Sequence, residues 1–259
     1  MNRFGEEFYR VYNGAGTQSC FAEDFVELNG RKFSVAQFRP NAAILNNCYK
    51  IAREKSRYTM DEGQDLVRRR NSRKLINQFK GIMAEAAVHI FLHQCCGFPL
   101  AEIQRWDLER EDFHYASNEY DLKISFGQRN FYIESRSSSS YQSSLQKFML
   151  DYDIIGKYSN EKKQLEKAAD LYVRPVFQYS PPYMSSEAYN VRIDDTFEDI
   201  KSGRLTLWLV AAAGKKEMYG PKGYQKSMGQ GYTRYQCIRI QDAGDMRSIV
   251  PVYREWMRG

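Results

Sequence analysis

The chain has 259 residues, 42% hydrophobic and 27% charged, the composition of a folded chain and not of a disordered one. At this length folding buries roughly 70–75% of the unfolded surface, so no disulfide framework is needed. Five scattered cysteines (Cys20, Cys48, Cys95, Cys96, Cys237) without a C-x2-C pair point to reduced thiols in a cytoplasmic protein. A net charge of +6 does not by itself identify a nucleic-acid partner. No run approaches the ~18 apolar residues of a membrane span, and MNRFGEEFYRVYNG lacks the apolar stretch of a secretory signal.

Residues 1–40 read as a β-containing lead-in, because FVEL and RKFSV alternate around Asn29-Gly30, a tight-hairpin signal. Pro40 closes it. Residues 41–70, rich in Ala, Ile, Leu and Arg, predict a helix that Gly63 can break. From Ser72, the residues Leu75, Phe79, Ile82, Met83, Ala86 and Ile90 recur at spacings of three and four, which predicts a helix ended by Gly97 and Pro99. Glu85 lies off the centre of that stripe. Two alternating strands follow, 119–126 and 129–135, joined by Gly127-Gln128, which suits a two-residue turn with Gly first. That turn sets the register. Leu122, Ile124, Phe126, Phe131 and Ile133 share one face. The other collects Glu119, Asp121, Lys123, Tyr132, Glu134 and Arg136, with Asp121 opposite Glu134 and Glu119 opposite Arg136. Beyond a serine run, helices are expected over 141–152 and 160–169, then a strand over 170–177 whose Pro175 suggests an edge or a strand end. Asp195 and Glu198 suit the cap of a short helix over 196–202. LTLWLVAAA (205–213) is buried as helix or strand, 214–235 is loop-like, and YQCIRI (235–240) is a strand.

Like charges directly opposite each other destabilise a sheet. Asp121 and Glu134 therefore need a cation between them or raised pKa values. Magnesium takes hard oxygen ligands and keeps several waters; it can activate a water and neutralise phosphate charge. The alternative is a solvated polar face with cross-strand pairs such as Glu119–Arg136.

The order GIMAEAAVHIF, EYDLKI, short turn, FYIESRSS, helix, DLYVRPVF resembles the PD-(D/E)xK nuclease superfamily, the restriction endonuclease-like fold, over residues 72–178. The resemblance implies an α/β protein with a central mixed β-sheet flanked by helices. Residues 1–70 would be an N-terminal hairpin and helical lead-in, and 71–259 a nuclease core with a C-terminal DNA-contacting segment, all in one compact domain. It implies a magnesium- or manganese-dependent DNA endonuclease of a restriction or other prokaryotic defence system, acting as a homodimer, with no membrane partner and no organic cofactor. Glu85 matches the helix acid that holds metal or its water, Asp121 the central metal ligand and Glu134 the second. Arg136 stands where the family has lysine; arginine can stabilise charge but cannot serve as a general base. Lys123, on the same face as Asp121, is the other candidate for that role. Tyr120 stands where the family places a proline. A nucleic-acid-binding module with a degenerate nuclease core is the rival reading, and an RNA-acting nuclease a further one.

Other features extend the resemblance. Ser138 and Gln142 fall where hydroxyls and amides can contact a phosphate backbone, or else belong to a linker capping the next helix. Arg69 and Arg73, in the basic run that begins at Arg68, suit phosphate contact or a solvated helix face. Lys222 and Lys226 lie in GKKEMYGPKGYQKSMGQGYTRY, whose basic and aromatic residues suit a loop that wraps nucleic acid, or an ordinary surface loop. His89 and His93 follow Glu85 at one-turn spacing, but without H-E-x-x-H they read as helix histidines and not as zinc ligands.

Overall fold

The computed structural model describes residues 1–14, 19–58, 71–114, 120–159, 168–180, 193–227 and 233–249. The lead-in starts with a helix and not with β-structure: α1 (Arg3–Gly14). Asn2 Oδ1 accepts from the N–H groups of Phe4 (3.0 Å) and Gly5 (3.1 Å), which satisfies two orphan donors of the first turn. Phe4, Phe8 and Tyr12 bury the same helix face. The expected hairpin follows as β1 (Phe21–Leu28) and β2 (Arg31–Phe38). Asn29 (φ 50°) and Gly30 (φ 78°) both take the left-handed conformation that a two-residue turn of this kind demands.

Helix α2 (Ala42–Tyr58) is capped by Asn41 Oδ1, which accepts from Ile44 N–H at 2.8 Å; residues 59–70 of the expected helix lie outside the described residues. Helix α3 (Asn71–Gln94) buries Phe79, Ile82, Met83 and Ile90 to 1% exposure or less, each contributing about 1.5–3 kcal/mol. Gly97, at φ 82°, follows its end as expected. Two short elements that the sequence did not signal come next, β3 (Ile103–Arg105) and α4 (Trp106–Glu109). Then come β4 (Leu122–Phe126) and β5 (Arg129–Ser135). The serine run is strand β6 (Ser138–Ser140), and α5 (Leu145–Asp151) is capped by Ser144. An unforeseen strand, β7 (Asp153–Ser159), precedes β8 (Leu171–Tyr179); of the helix expected over 160–169, residues 160–167 lie outside the described residues. Helix α6 (Ile193–Lys201) starts before its predicted cap, so Asp195 sits in its first turn. LTLWLVAAA is strand β9 (Leu205–Gly214). The segment expected to be loop holds α7 (Lys215–Met218) and β10 (Tyr224–Ser227), and β11 (Arg234–Arg239) closes the series.

The main sheet has the order β1-β2-β9-β8-β5-β4-β3, with β6 also paired to β8. It is mixed: β5 and β6 run parallel to β8, and β9 runs antiparallel to it. β8 is therefore an inner strand, which corrects the edge reading drawn from Pro175. The ladder to β9 shifts register between Arg174 and Pro175, so the missing N–H of proline falls where pairing is already interrupted. One sheet face packs on α1, α2 and α3 through Ile124, Ile133, Val173, Phe177 and Leu207. The opposite face, with Val35, Tyr172, Val176 and Val210, packs on Phe148 of α5, Ile154 of β7 and Ile238 of β11. Strands β10, β11 and β7 form a second, three-stranded sheet there. The protein is α/β, with a central mixed sheet flanked by helices.

Candidate active site

The β4–β5 register is the one the turn predicted. Phe126 faces Arg129, Lys123 faces Tyr132 and Leu122 faces Ile133, with Gly127 at φ 55°. Leu122, Ile124 and Ile133 enter the helix-side core. One step beyond the paired residues, Asp121 comes opposite Glu134. Its backbone carbonyl accepts from Trp106 N–H (3.2 Å) and its Oδ2 accepts from Ser135 N–H (2.8 Å), which ties the carboxylate to the end of β5. Glu85 arrives from α3, 8% exposed.

These acids feel one another. Burial, then the charges of Glu134 and Glu85, push Asp121 well above the usual carboxylate range; the Ser135 N–H and Arg136 counteract this only in part. Burial, then Asp107, push Glu85 up to about 7, with Glu134 adding to the effect and Lys55 and Arg105 opposing it. Electrostatic repulsion among carboxylates, one buried (Glu85) and two half-buried (Asp121, Glu134), is the condition that a hard cation relieves. Asp121 and Glu134 carry oxygen donors of the kind such a cation takes. Among the described residues, however, no three His, Cys, Asp or Glu side chains gather as a group that could by itself hold an ion.

The cations around the acids are partly those expected. Arg136 reaches Glu134: its Nε and Nη2 both lie 2.8 Å from Oε1. Its guanidinium also lies 5.0 Å from the Tyr158 ring centroid. Lys123 shares the face but places its ammonium 5.2 Å from the Tyr120 ring centroid. Two cations escaped the sequence reading. Lys55 of α2 lies 2.5 Å from Asp107 Oδ2; burial pulls its pKa down, but Asp107, Glu85 and Asp121 outweigh burial and the net shift is upward. Arg105 of β3 is fully buried, with its guanidinium 4.8 Å from the Phe8 ring centroid. None of its guanidinium nitrogens has a hydrogen-bond partner among the described residues. No spacing rule links Lys55, Asp107 or Arg105 to the acids, because packing of α2 and β3 against α3 brings them there.

The expected phosphate-contacting residues are dispersed. Ser138 Oγ accepts from Arg174 Nη2 (2.8 Å) and Ser139 Oγ from the buried Lys80 (2.8 Å). Gln142 N–H donates to Ser140 Oγ at 3.2 Å. Arg73 is exposed in the first turn of α3, and Arg69 lies outside the described residues. Lys222 pairs with Asp242 at 3.9 Å and Lys226 with the buried Asp153 at 2.8 Å. His89 is fully buried against Phe8 and Tyr9, and burial holds its imidazole well below its ordinary value. His93 Nδ1 lies 2.6 Å from the Phe98 carbonyl.

A cavity of about 470 Å³ opens beside Glu134, lined by Tyr120, Tyr132, Asn130, Asp170 and Lys215 among others. No family model matches the chain, and no solved structure matches it significantly. The chain is similar to MJECS01, an uncharacterized protein of Methanocaldococcus jannaschii, with 27% identity over 171 residues. That stretch covers 62% of this chain and 61% of the relative, less than two thirds of its length.

Proposed function

We propose that the protein is a divalent-metal-dependent endonuclease that hydrolyses phosphodiester bonds in DNA and serves a restriction or other prokaryotic defence system. One observation carries this reading. Asp121, Glu134 and Glu85, drawn from a strand start, the neighbouring strand and a helix, share one neighbourhood in which burial first, and neighbouring acids after it, raise the carboxyls of Asp121 and Glu85. Perturbed, mutually repelling acids cluster where chemistry requires them. Asp121 and Glu134 would hold magnesium or manganese, and Glu85 a second ion or its water. When bound, the ion lowers the pKa of a coordinated water and offsets charge on the phosphate. Arg136 is placed to take up charge that develops on the phosphoryl oxygens, without acting as a base. We read the protein as cytoplasmic and as a homodimer whose two centres cut the two strands; no helix among the described residues is long and apolar enough to cross a membrane.

The test is supercoiled plasmid incubated with magnesium or manganese, with EDTA controls and with Asp121→Asn and Glu134→Gln. Nicking or linearisation that EDTA and both substitutions abolish is expected. Intact plasmid, linear DNA and RNA in both metals would overturn the reading. The rival, a binding module on a nuclease-like core that no longer cuts, is favoured by the Arg136–Glu134 ion pair, which engages a carboxylate the metal needs. It predicts DNA retention in EDTA with no metal-dependent cleavage.

A further inference from the structure

We propose that the cavity beside Glu134 is a nucleobase site, so that the substrate presents an unpaired base next to the bond being cut. The link to cleavage rests on the nuclease reading above; the site itself is argued from its walls. At about 470 Å³ the cavity falls within the ordinary range for small-ligand pockets. Two of its walls are aromatic. The Tyr120 and Tyr132 rings lie 5.8 Å apart at 49° and form an angled corner. Tyr120 is held from behind, with the Trp106 ring at 5.4 Å and the Lys123 ammonium at 5.2 Å. Tyr132 projects from β5 with 37% exposure, an accessible ring face on a rigid strand. Such a face stacks any base, whatever the sequence.

The polar groups suit a base edge. Tyr132 N–H donates to Asp170 Oδ2 (3.0 Å), and Asp170 N–H donates to the Tyr132 carbonyl (2.8 Å). The Asp170 carboxylate is thereby fixed against the aromatic wall, with Oδ1 able to accept from an exocyclic amine. Asn130 Oδ1 accepts from Ser125 Oγ (2.8 Å), which leaves its amide N–H groups to donate to a base carbonyl or ring nitrogen. An acceptor and a donor lining one cavity suit the hydrogen-bonding edge of a base. Lys215, exposed at the mouth, adds a cation for the adjoining phosphate, and its backbone N–H donates to the Asp170 carbonyl at 2.9 Å. Glu134 joins this cavity to the acid cluster. A stacked duplex cannot place a base in such a cavity without opening. The fitting ligand is a single strand, gap, flap or mismatch.

The test is binding in EDTA, where cleavage plays no part. The probe is a short DNA single strand with a central 2-aminopurine, compared with the same strand paired in a duplex. The single strand should bind at least tenfold tighter and change its 2-aminopurine emission. Tyr132→Ala should remove about tenfold of that affinity and Tyr132→Phe should keep it. Equal affinity for both probes, or an unchanged Tyr132→Ala, would overturn the base site. Circular dichroism of each variant separates loss of the site from loss of the fold, and Tyr132→Leu serves as a second apolar variant. The two readings fail separately. Metal-dependent cutting with no effect of Tyr132→Ala on binding sinks the base site alone. Tyrosine-dependent single-strand binding without cutting in either metal sinks the nuclease alone.

Discussion

Replacing Glu85 with Gln should stabilise the protein above neutral pH. The side chain is 8% exposed, and burial together with Asp107 raises its carboxyl from 4.5 to about 7. A carboxyl raised on folding binds its proton more tightly in the native state, so stability is full below the unfolded value. It is lost as pH rises through the window from 4.5 to about 7. At 1.36 kcal/mol per unit, the ionised group costs about 3 kcal/mol at the top of that window, a sizeable part of the stability of an ordinary domain. Gln keeps the shape and removes the charge. Lys55 and Arg105 then lose a neighbouring anion, so the expected net gain is about 1–2 kcal/mol. The assay is urea unfolding of both proteins in EDTA across pH 5 to 8. The wild-type midpoint should fall with rising pH. The variant should fall less, because both proteins keep the same shares from Asp121 and, with the opposite sign, from the buried His89, and it should be the more stable protein at pH 8. Parallel pH dependences, or a variant less stable at pH 8, would refute the electrostatic argument.

The same centre gives further expectations. Manganese at about one hundred times its Kd should add about 2.7 kcal/mol of stability to the wild type at pH 8, and nothing to Asp121→Asn; equal thermal shifts for the two would place the ion elsewhere. Arg136→Ala should cut cleavage by about a hundredfold or more with DNA binding nearly intact, because its contribution belongs to the transition state. Arg136→Lys should retain activity, and Lys123→Ala should be mild; a larger loss in Lys123→Ala than in Arg136→Ala would transfer the role to Lys123. Lys226→Ala should lose about 1 kcal/mol in urea unfolding, because among the described residues it leaves the buried Asp153 with Tyr224 (2.5 Å) as its remaining side-chain hydrogen-bond donor. An unchanged midpoint would return that lysine to the role of a free phosphate contact.

What could be read in advance was local. Gly127 at the first position of a two-residue turn sets which residues face each other, so the pairing of Lys123 with Tyr132 followed from a few residues. The stripe of α3 was equally self-contained. Helix α1 was not, because its cap also depends on docking: Asn2 Nδ2 donates to the carbonyls of Asp107 and Arg110. β9 is buried on both faces over 209–213, half of its length, and there lost the alternation that identifies a strand. Pro175 misled because its bulge is visible only once β9 is paired. β11 was legible as a strand, but β10 gains its ladder only from β11, which pairs in turn with β7, whose DIIGKYS carried no signal of its own. That Asp121 and Glu134 face each other was legible in the hairpin register. The charged groups around them were not, because the cations Lys55 and Arg105 and the further acid Asp107 arrive from separate elements.

Arg136 is the position where the chain departs from the motif it resembles, and its geometry gives that departure a testable sign. Two guanidinium nitrogens share Glu134 Oε1 at 2.8 Å. A divalent ion held by Asp121 and Glu134 would share that carboxylate through Oε2, so ion and guanidinium compete through their like charge and not for one lone pair. The competition is not met by simple co-binding, because both are cations in a partly buried setting where repulsion is strong. Removing the guanidinium should therefore tighten the ion while slowing the cut. Calorimetric titration of manganese into wild type and Arg136→Ala should show an affinity gain of a few fold in the variant, against the loss in cleavage expected above. A lysine at that position, with a single ammonium and no planar fork, should fall between the two in affinity. Weaker manganese binding in Arg136→Ala would mean that the guanidinium holds Glu134 in place for the ion and does not compete with it. The departure from lysine would then be structural support, not a redistribution of charge.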